Sequence, residues 1–370
     1  MLPRNPPAAL ALLLPLVAAL ACGPARGAPS PPRLGVPPAL ETTFNTAPWP
    51  QGARWGVVGL RPYARAHDLE VLLFSTRSRA FDGLVVQARF IPLFARWSEP
   101  YPAELGRGLA PDLARAVESP RGLTALPLTA DGPVLLYREA WWREHAMPPP
   151  SALAGLREDL LFLRSWRPGL AAPLQSAVPE TLLLWSLSAS YEGEVFPAFY
   201  RDATVQALGL MKEFGLHARD PRAVWEDLAK GRSGAAFLMA SDAARLAAST
   251  GGGLAAVPLP SAFGAIAVND GWCLMGTERR ATPVLEALLS RDVQTHLARR
   301  GHFPASSAVE RPAGAAFEAL ARTRLVGVPV VWEDEVVLAE AIDDALEGGV
   351  DPEAALRRAE ARRTRPEAAP

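Results

Sequence analysis

Residues 123–156 decide the fold, and they read LTALPLTADGPVLLYREAWWREHAMPPPSALAGL. The apolar run at 123–128 predicts a β-strand. Residues 139–145 predict a helix that ends before the three prolines at 148–150, since proline disrupts a helix interior. Ser151 is expected to cap the next helix, whose inward face holds leucines at 153, 156, 160 and 163. A strand followed by amphipathic helices is typical of α/β proteins.

The segments on either side continue this alternation. Upstream, the sequence predicts strands at 40–46, 69–75 and 83–87 and helices at 51–67, 91–97 and 110–117. Downstream, it predicts helices that open at Pro179, Asp202, Asp220-Pro221 and Asp351-Pro352 and strands at 234–240, 254–260 and 265–268. The chain is therefore predicted to be α/β, with largely parallel sheets and no internal repeat.

The composition excludes several classes of protein. The chain has 370 residues, enough for two lobes, and a net charge of -1, which gives no electrostatic basis for a nucleic-acid partner. Its two cysteines, Cys22 and Cys273, form neither a disulfide framework nor a zinc site, and its five histidines lack metal-ligand spacing. The serine-hydrolase elbow, the zinc-protease motif and the phosphate-binding loop are absent from the sequence. We therefore expect a protein that is not an enzyme and that uses no metal or cofactor.

The N-terminus indicates export. One arginine precedes an apolar stretch at 8–21, which has the length of a signal-peptide core and is too short for a comfortable membrane span. Two modes of cleavage stay open, because cleavage before Cys22 would leave a lipid-anchored protein and cleavage a few residues later a freely soluble one. We expect a signal peptide over 1–22, a Pro/Gly/Ala-rich tether over 23–38, and a periplasmic or extracellular location.

Five stretches occur in the order found in one known family. They are residues 123–156, quoted above, SYEGEVFPAFYRDATVQALGLMKEFG (190–215), AKGRSGAAFLMASDAARL (229–246), DGWCLMGTERRATPVLEALLSRDVQTHLARRGHFPASSAVE (270–310) and DPEAALRRAEARR (351–363). Together they resemble the extracellular solute-binding proteins of family 1, the carbohydrate-type receptors of ABC importers. The stretch DGLVVQARFIPLFARW (82–97) resembles the family's third strand and following helix more loosely.

The resemblance implies a periplasmic-binding-protein-like fold with two discontinuous α/β lobes, crossing strands and a ligand cleft between the lobes. It places lobe I at 39–127 plus 262–308, lobe II at 128–261 plus 309–363, and a tail at 364–370. It also implies a monomer that closes on a small polar solute, most often a carbohydrate, and is then recognised by an ABC permease in the membrane.

The first lobe departs from the family's pattern. Only about eight residues separate the predicted strands 69–75 and 83–87, too few for the helix that the family has between them. We therefore expect a shortened N-terminal lobe.

Candidate ligand-binding residues lie at strand ends or in segments that face the cleft in the family. Carbohydrates need aromatic faces and carboxylate, amide or arginine groups. The candidates of both kinds are Trp272, Trp185, Tyr191, Trp332, Asp131, Asp270, Glu192, Ser241, Asp242, Arg89, Thr43 and Asn45. Ordinary structural roles stay open for them: core packing for the tryptophans, a turn for Asp131, helix capping at 241 and 242, and solvent exposure for Arg89.

Two further functions stay open at this point. A degenerate relative with a regulatory or partner-binding role is suggested by the expected shortening of the first lobe. An exported glycoside hydrolase would need two carboxylates in the cleft, for which Asp131 with Glu192 or Asp270 are the candidates.

Overall fold

Helices and strands alternate along the chain. The computed structural model describes residues 32–51, 55–60, 70, 73–76, 80–98, 100–119, 122–167, 170–250, 253–276, 282–328 and 332–363. The strands are β1 (Arg33–Val36), β2 (Gly56–Gly59), β3 (Gly83–Gln87), β4 (Glu118–Ser119), β5 (Gly122–Leu123), β6 (Leu126–Pro127), β7 (Thr129–Ala130), β8 (Pro133–Tyr137), β9 (Ala172–Ser176), β10 (Ser233–Met239), β11 (Ala255–Val257), β12 (Ile266–Val268), β13 (Trp272–Gly276), β14 (Phe303–Pro304) and β15 (Arg324–Val326).

The α-helices are α1 (Pro38–Asn45), α2 (Ile91–Phe94), α3 (Pro111–Ala116), α4 (Glu139–Glu144), α5 (Leu153–Trp166), α6 (Glu180–Glu192), α7 (Asp202–Phe214), α8 (Pro221–Ala229), α9 (Ala240–Thr250), α10 (Thr282–Leu289), α11 (Arg291–Arg299), α12 (Ala315–Ala321), α13 (Trp332–Leu346) and α14 (Pro352–Arg362). Short 3-10 helices span Ala88–Phe90, Ala95–Trp97 and Ala103–Gly108.

The first sheet has the strand order β2-β1-β3-β13-β6. In it β1 is parallel to β2 and β3, whereas β13 runs antiparallel to β3 and to β6. Val85 and Val86 of β3 point to opposite faces and are both fully buried. The sheet is therefore covered on both sides at its centre, which explains why β3 has a continuous apolar sequence.

The second sheet has the strand order β11-β8-β10-β9. Here β10 is antiparallel to β8 and parallel to β9, and β11 is antiparallel to β8. Every residue of β8 and β10 is buried, because α8 packs against β10, α5 against β9 and α12 against β8 and β11. The two apolar strands form the centre of the second sheet, and their residues belong to the same hydrophobic core as those of the first sheet.

The chain crosses between the two sheets more than once. It leaves the first sheet after β6, passes through β7 and enters the second sheet at β8, and it returns from β11 through β12 to β13. The two crossing segments are joined by backbone hydrogen bonds from Asp270 N to Asp131 O (2.9 Å) and from Leu128 N to Trp272 O (2.8 Å). A third segment runs beside them, since β14 pairs with β7 and β15 with β12. The predicted class, α/β with two sequence-discontinuous parts joined by crossing strands, is confirmed. The expectation of largely parallel sheets is wrong, because both large sheets contain antiparallel as well as parallel pairs.

The assignment of elements from the sequence is wrong near the N-terminus. The expected strand at 40–46 is helix α1, which is favoured by proline in its first turn and by Glu41 near its positive end. The expected helix at 51–67 contains β2 at 56–59 instead, and residues 73–75, expected to be a strand, are helical. The tether at 23–38 is wrong at its end, because residues 33–36 form β1, which lies between two other strands of the first sheet.

These corrections remove the reason for expecting a shortened first lobe. That expectation placed a strand at 69–75 directly before β3. The strand before β3 is β2, and the helical residues 73–75 lie between the two. The strand–helix–strand order that seemed to be missing is thus present in the described part of the first sheet.

Further along the chain the predicted boundaries are closer to the structure. Asp220 caps α8 and accepts hydrogen bonds from the backbone N of Arg222 and Ala223 at 2.9 and 3.0 Å. Ser151 does not cap α5, which begins after Ala152 without a side-chain hydrogen bond. The limits proposed for the two lobes, at 127/128, 261/262 and 308/309, stay predictions.

The crossing leaves no room for a side chain at Gly271. A Cβ at this position would lie 2.1 Å from the carbonyl oxygen of Thr129. We expect Gly271→Ala to lower the free energy of unfolding by about 1–3 kcal/mol through overpacking, measured by urea denaturation. The control is Gly209→Ala in α7, where a Cβ would have no atom within 4 Å and should add roughly 0.5–1 kcal/mol of stability. Equal changes in the free energy of unfolding at the two positions would contradict the close approach of Gly271 to the Thr129 carbonyl.

Candidate functional site

Asp131 lies on the first crossing segment, directly after β7. Its carboxylate accepts hydrogen bonds from the backbone N of Gly132 (2.9 Å), from the backbone N of Ser241 (3.2 Å) and from the Ser241 hydroxyl. Ser241 lies at the start of α9, directly after β10. These bonds therefore tie the crossing segment to a helix N-terminus of the second sheet, where a negative charge is also favoured by the helix dipole.

Asp270 lies on the returning segment and is 6% exposed. Its carboxylate accepts hydrogen bonds from Gln87 Nε2 at 3.2 Å and from the backbone N of Arg89 at 3.4 Å. Arg89 Nε lies 3.7 Å from Asp270 Oδ1, and Arg89 Nη2 donates to Gln87 Oε1 at 2.8 Å. The end of β3 in the first sheet is thus fixed to the crossing.

Asn269 connects these two groups. Its Oδ1 accepts hydrogen bonds from the backbone N of Asp131 at 3.2 Å and of Gly271 at 3.1 Å. We call the set Gln87, Arg89, Asp131, Ser241, Asn269 and Asp270 the crossing cluster. It combines residues from the end of β3, from both crossing segments and from the start of α9.

Helix α13 lies beside the crossing cluster. Glu335 of this helix is 9% exposed, accepts a hydrogen bond from the Thr181 hydroxyl at 2.9 Å, and interacts electrostatically with Arg89 and Asp270. Glu333, also on α13, forms an ion pair with Arg96 at 3.5 Å. Arg96 follows β3 and α2 in the chain. The ion pair is therefore a second contact between the chain near the first sheet and helix α13.

The carboxyl groups of this region hold their protons more tightly than usual. Burial raises the pKa of Asp131 to about 7, an effect that the Ser241 hydrogen bonds oppose. Burial likewise raises the pKa of Asp270, against the influence of Arg89, and that of Glu335, against the Thr181 hydrogen bond. The environment therefore disfavours the negative charge that these three groups would carry.

Four of the residues predicted from the sequence meet in the crossing cluster: Arg89, Asp131, Ser241 and Asp270. Trp272 begins β13 next to them; it is half-buried, and its backbone N donates to Thr129 Oγ1 at 2.9 Å. The structure therefore brings together the candidates that lie at strand ends near the crossing.

Other candidates lie elsewhere. Trp185 is 1% exposed and packs with its ring 5.9 Å from that of Phe199, so the expectation that it faces a ligand is wrong; it belongs to the core around α6, which is buried on nearly every side. Thr43 and Asn45 were expected to end a strand and instead lie in α1, the first buried and the second exposed.

The remaining candidates stay predictions. Tyr191 is half-buried, and burial raises its pKa. Glu192 forms an ion pair with Arg201 at 2.8 Å, and Asp242 pairs with Arg245 at 2.7 Å. Trp332 is the first residue of α13, but its side chain lies outside the described residues, as does Cys22.

Sequence reasoning missed Gln87, Asn269, Thr181 and Glu335. A signal existed for Gln87, which is the first polar residue after an apolar strand, and for Asn269, which precedes a predicted site residue. Nothing in the sequence indicates that Thr181 and Glu335 meet, because they are 154 residues apart in the chain.

Solved structures of similar fold cover almost the whole chain. The sugar-binding protein MalE from Xanthomonas citri has a TM-score of 0.73 at 16% identity, covering 90% of this chain and 96% of that one. The cyclic alpha-maltosyl-1,6-maltose binding protein from Arthrobacter globiformis has a TM-score of 0.70 at 15% identity, covering 90% and 97%. UgpB from Mycobacterium tuberculosis, in complex with glycerophosphocholine, has a TM-score of 0.69 at 14% identity, also covering 90% and 97%.

The fold is that of the periplasmic binding proteins. The likeness is one of structure, since comparison of the sequence with family models and with characterised proteins found no match. The similar structures are those of binding proteins rather than enzymes, but a shared fold does not by itself fix function. The crossing cluster is therefore the part of the structure from which the function has to be inferred.

Two kinds of feature are absent from the described residues. Among them, no helix has the length and the apolar character that a membrane span requires. The same residues contain no group of three or more His, Cys, Asp or Glu side chains placed to hold a metal ion.

Two cavities lie apart from the crossing cluster. One of about 200 Å³ is lined by α3 and by residues 324–327, and one of about 240 Å³ by Trp225 together with residues of α9, β8, β11 and α12. Neither is lined by a residue that the sequence predicts to bind ligand.

The crossing cluster has the chemistry of a binding site for polar groups. It offers amide, guanidinium and hydroxyl donors beside carboxylate and amide acceptors, the combination that hydroxyl groups require. Of the carboxylates predicted for hydrolysis, Asp131 accepts three hydrogen bonds and Asp270 two from other groups of the chain, and Glu192 is paired with Arg201.

The raised pKa of Asp131 predicts a pH-dependent stability. An acid with a higher pKa in the folded than in the unfolded chain stabilises the fold fully below about pH 3.8, and this contribution is lost as the pH rises through about 7. Asp131→Asn removes this dependence and can keep an acceptor for the two backbone N–H groups. We expect the free energy of unfolding of the wild type, relative to that of the variant, to fall by at most about 4 kcal/mol between pH 4 and pH 8. Urea unfolding at several pH values measures this, and a constant difference would contradict it.

Proposed function

We propose that the chain is an exported substrate-binding protein that captures a small polar solute, a sugar or an oligosaccharide, and delivers it to an ABC importer. The observation that carries this proposal is the crossing cluster, whose hydrogen bonds connect the end of β3, through the two crossing segments, to the start of α9. A solute bound there contacts groups that belong to both sheets.

Such a site couples binding to the arrangement of the two lobes. A ligand shifts a conformational equilibrium only if it binds one state better than the other. A solute that bridges β3 and α9 meets this condition, because its contacts are complete only when both elements are close. The ion pair between Arg96 and Glu333 adds a contact that depends on the same approach. Closure by rotation about the crossing segments is the corresponding motion.

The similar structures support a sugar as the solute. Several are sugar-binding proteins, and one is an ABC transporter solute-binding protein bound with alpha-D-tagatose. Trp272 beside the crossing cluster supplies an aromatic group of the kind that packs against sugar C–H surfaces. Delivery to a membrane permease by a monomeric receptor follows from the same proposal.

The alternative of a degenerate, partner-binding relative is less well supported. It was suggested by a shortened first lobe, and the described residues place helical structure between β2 and β3 where a helix was thought to be missing. We therefore carry the solute-binding function forward alone.

The first test is ligand binding by the mature protein. We expect one or more members of a panel of neutral mono- and oligosaccharides to raise the melting temperature, because a ligand present at 100 times its Kd stabilises the folded state by about 2.7 kcal/mol. Small-angle scattering of the same complex should show a smaller radius of gyration. A panel without any stabilising member would contradict the proposed function.

Arg89 is the residue whose removal should matter most for binding. Arg89→Ala removes the guanidinium at the exposed edge of the crossing cluster and should weaken the affinity for the bound sugar by tenfold or more, as expected for a charge-assisted hydrogen bond of roughly 1.5–3 kcal/mol. Titration calorimetry measures this. The matched control is Arg115→Ala, which removes an exposed arginine that forms its ion pair with Asp112 on the surface of α3. Equal losses of affinity in the two variants would count against the site.

Anchoring through Cys22 belongs to the same proposal. Mass spectrometry of the mature protein should show an N-terminus at Cys22 carrying a lipid, and Cys22→Ala should move the protein from the membrane to the soluble fraction. An unmodified N-terminus after Cys22 would instead establish a freely soluble protein.

A further inference from the structure

The charges around the crossing cluster do not balance. Among the described residues, one guanidinium, that of Arg89, lies in the cluster with the carboxyl groups of Asp131 and Asp270, and the Glu335 carboxyl group lies beside them. The other charged groups nearby are paired among themselves: Asp242 with Arg245 at 2.7 Å, and Glu333 with Arg96 at 3.5 Å. The region therefore carries an excess of acidic groups.

The acidic groups are held mainly by neutral donors. Asp131 is bonded to two backbone N–H groups and to the Ser241 hydroxyl, and Glu335 to the Thr181 hydroxyl. Among the described residues, Arg89 is the cation beside Asp270, at 3.7 Å, and it also interacts electrostatically with Glu335. Burial raises the pKa of all three carboxyl groups, and the influence of Arg89 opposes this shift for Asp270 and Glu335.

Two buried donors in the same cluster lack a partner. Arg89 Nε and Asn269 Nδ2 have no hydrogen-bond acceptor among the described residues, although Asn269 is only 1% exposed. Buried polar atoms in folded proteins are nearly always satisfied by protein, water or ligand. These two donors can bond to the hydroxyl or ring oxygens of a polyol. The crossing cluster therefore offers unused donors as well as carboxyl groups.

We infer that, if the proposed function holds, the solute is a polyhydroxy compound that carries a basic nitrogen, such as an amino sugar, and that anionic solutes are excluded. The protonated nitrogen supplies the positive charge that the crossing cluster lacks, while the hydroxyl groups of the solute accept hydrogen bonds from Arg89 and Asn269. Arg89 is not an anion receptor here, because Asp270 already offsets its charge.

The test compares sugars that differ only in charge. Glucose, maltose and cellobiose are each titrated in the neutral form, as the 2-amino derivative and as the uronic acid, at pH 6 and low salt. We expect the amino form to bind about tenfold more tightly than the neutral form or better, since charge complementarity in a poorly hydrated site favours it. The uronic acid should bind more weakly than the neutral form.

Proton linkage gives an independent readout. A bound cation favours the ionised form of the neighbouring carboxyl groups, so binding of the amino form at pH 7 should release protons, chiefly from Asp131. Calorimetry in two buffers of different ionisation enthalpy detects this release. The neutral form should release fewer protons.

Glu335→Gln tests whether the acidic excess causes the preference. The glutamine can keep the Thr181 hydrogen bond while removing one charge, so the ratio of amino to neutral affinity should fall by about tenfold with neutral binding retained. The matched control is Glu340→Gln on the same helix, where the carboxylate is exposed and pairs with Arg362; its ratio should equal that of the wild type.

The outcomes separate this inference from the function on which it rests. The inference is supported if an amino form binds most tightly and if the ratio of amino to neutral affinity falls in Glu335→Gln but not in Glu340→Gln. Tightest binding by a neutral or uronic form overturns the charge inference and leaves the binding function standing. Absence of binding by every form of every sugar contradicts both.

Discussion

The structure depends on the hydrogen bonds between the Asp131 carboxylate and Ser241. They join the segment that leaves the first sheet to the helix that follows the central strand of the second sheet. Asn269 and Asp270 complete the junction from the returning segment, and Arg89 and Gln87 from the end of β3. The buried apolar residues of the two sheets belong to one continuous core, and this small polar network lies where the chain crosses between the sheets.

A buried polar network of this kind is costly unless every member finds a partner. Most atoms of the crossing cluster do, which fixes the geometry of the crossing. The exceptions are two donors and an excess of carboxyl groups, and both lie where residues of the two sheets face each other. The same network therefore acts as a structural junction and is where we propose that a solute binds.

The sequence predicted the class of fold and several residues of the crossing cluster, for identifiable reasons. Long apolar strands such as β3 and β10 and capped helices such as α8 carry strong local signals. The N-terminal region does not: β1 and β2 are four residues long, and β1 is followed directly by two prolines, so helix and strand were exchanged there. Asp131, Ser241 and Asp270 were found because they lie at strand ends. Thr181 and Glu335 depend on tertiary packing between distant helices, and Trp185 was misplaced because an aromatic residue near a predicted cleft is as easily part of the core.

The close contact of Gly271 with the Thr129 carbonyl limits how the molecule can move. Two backbones in direct contact, with hydrogen bonds on either side, cannot slide past each other. Shear between the crossing segments is therefore blocked, and relative movement of the two sheets is restricted to bending about an axis through this contact. Residues beside this contact therefore move least when the two sheets move relative to each other, and residues far from it move most.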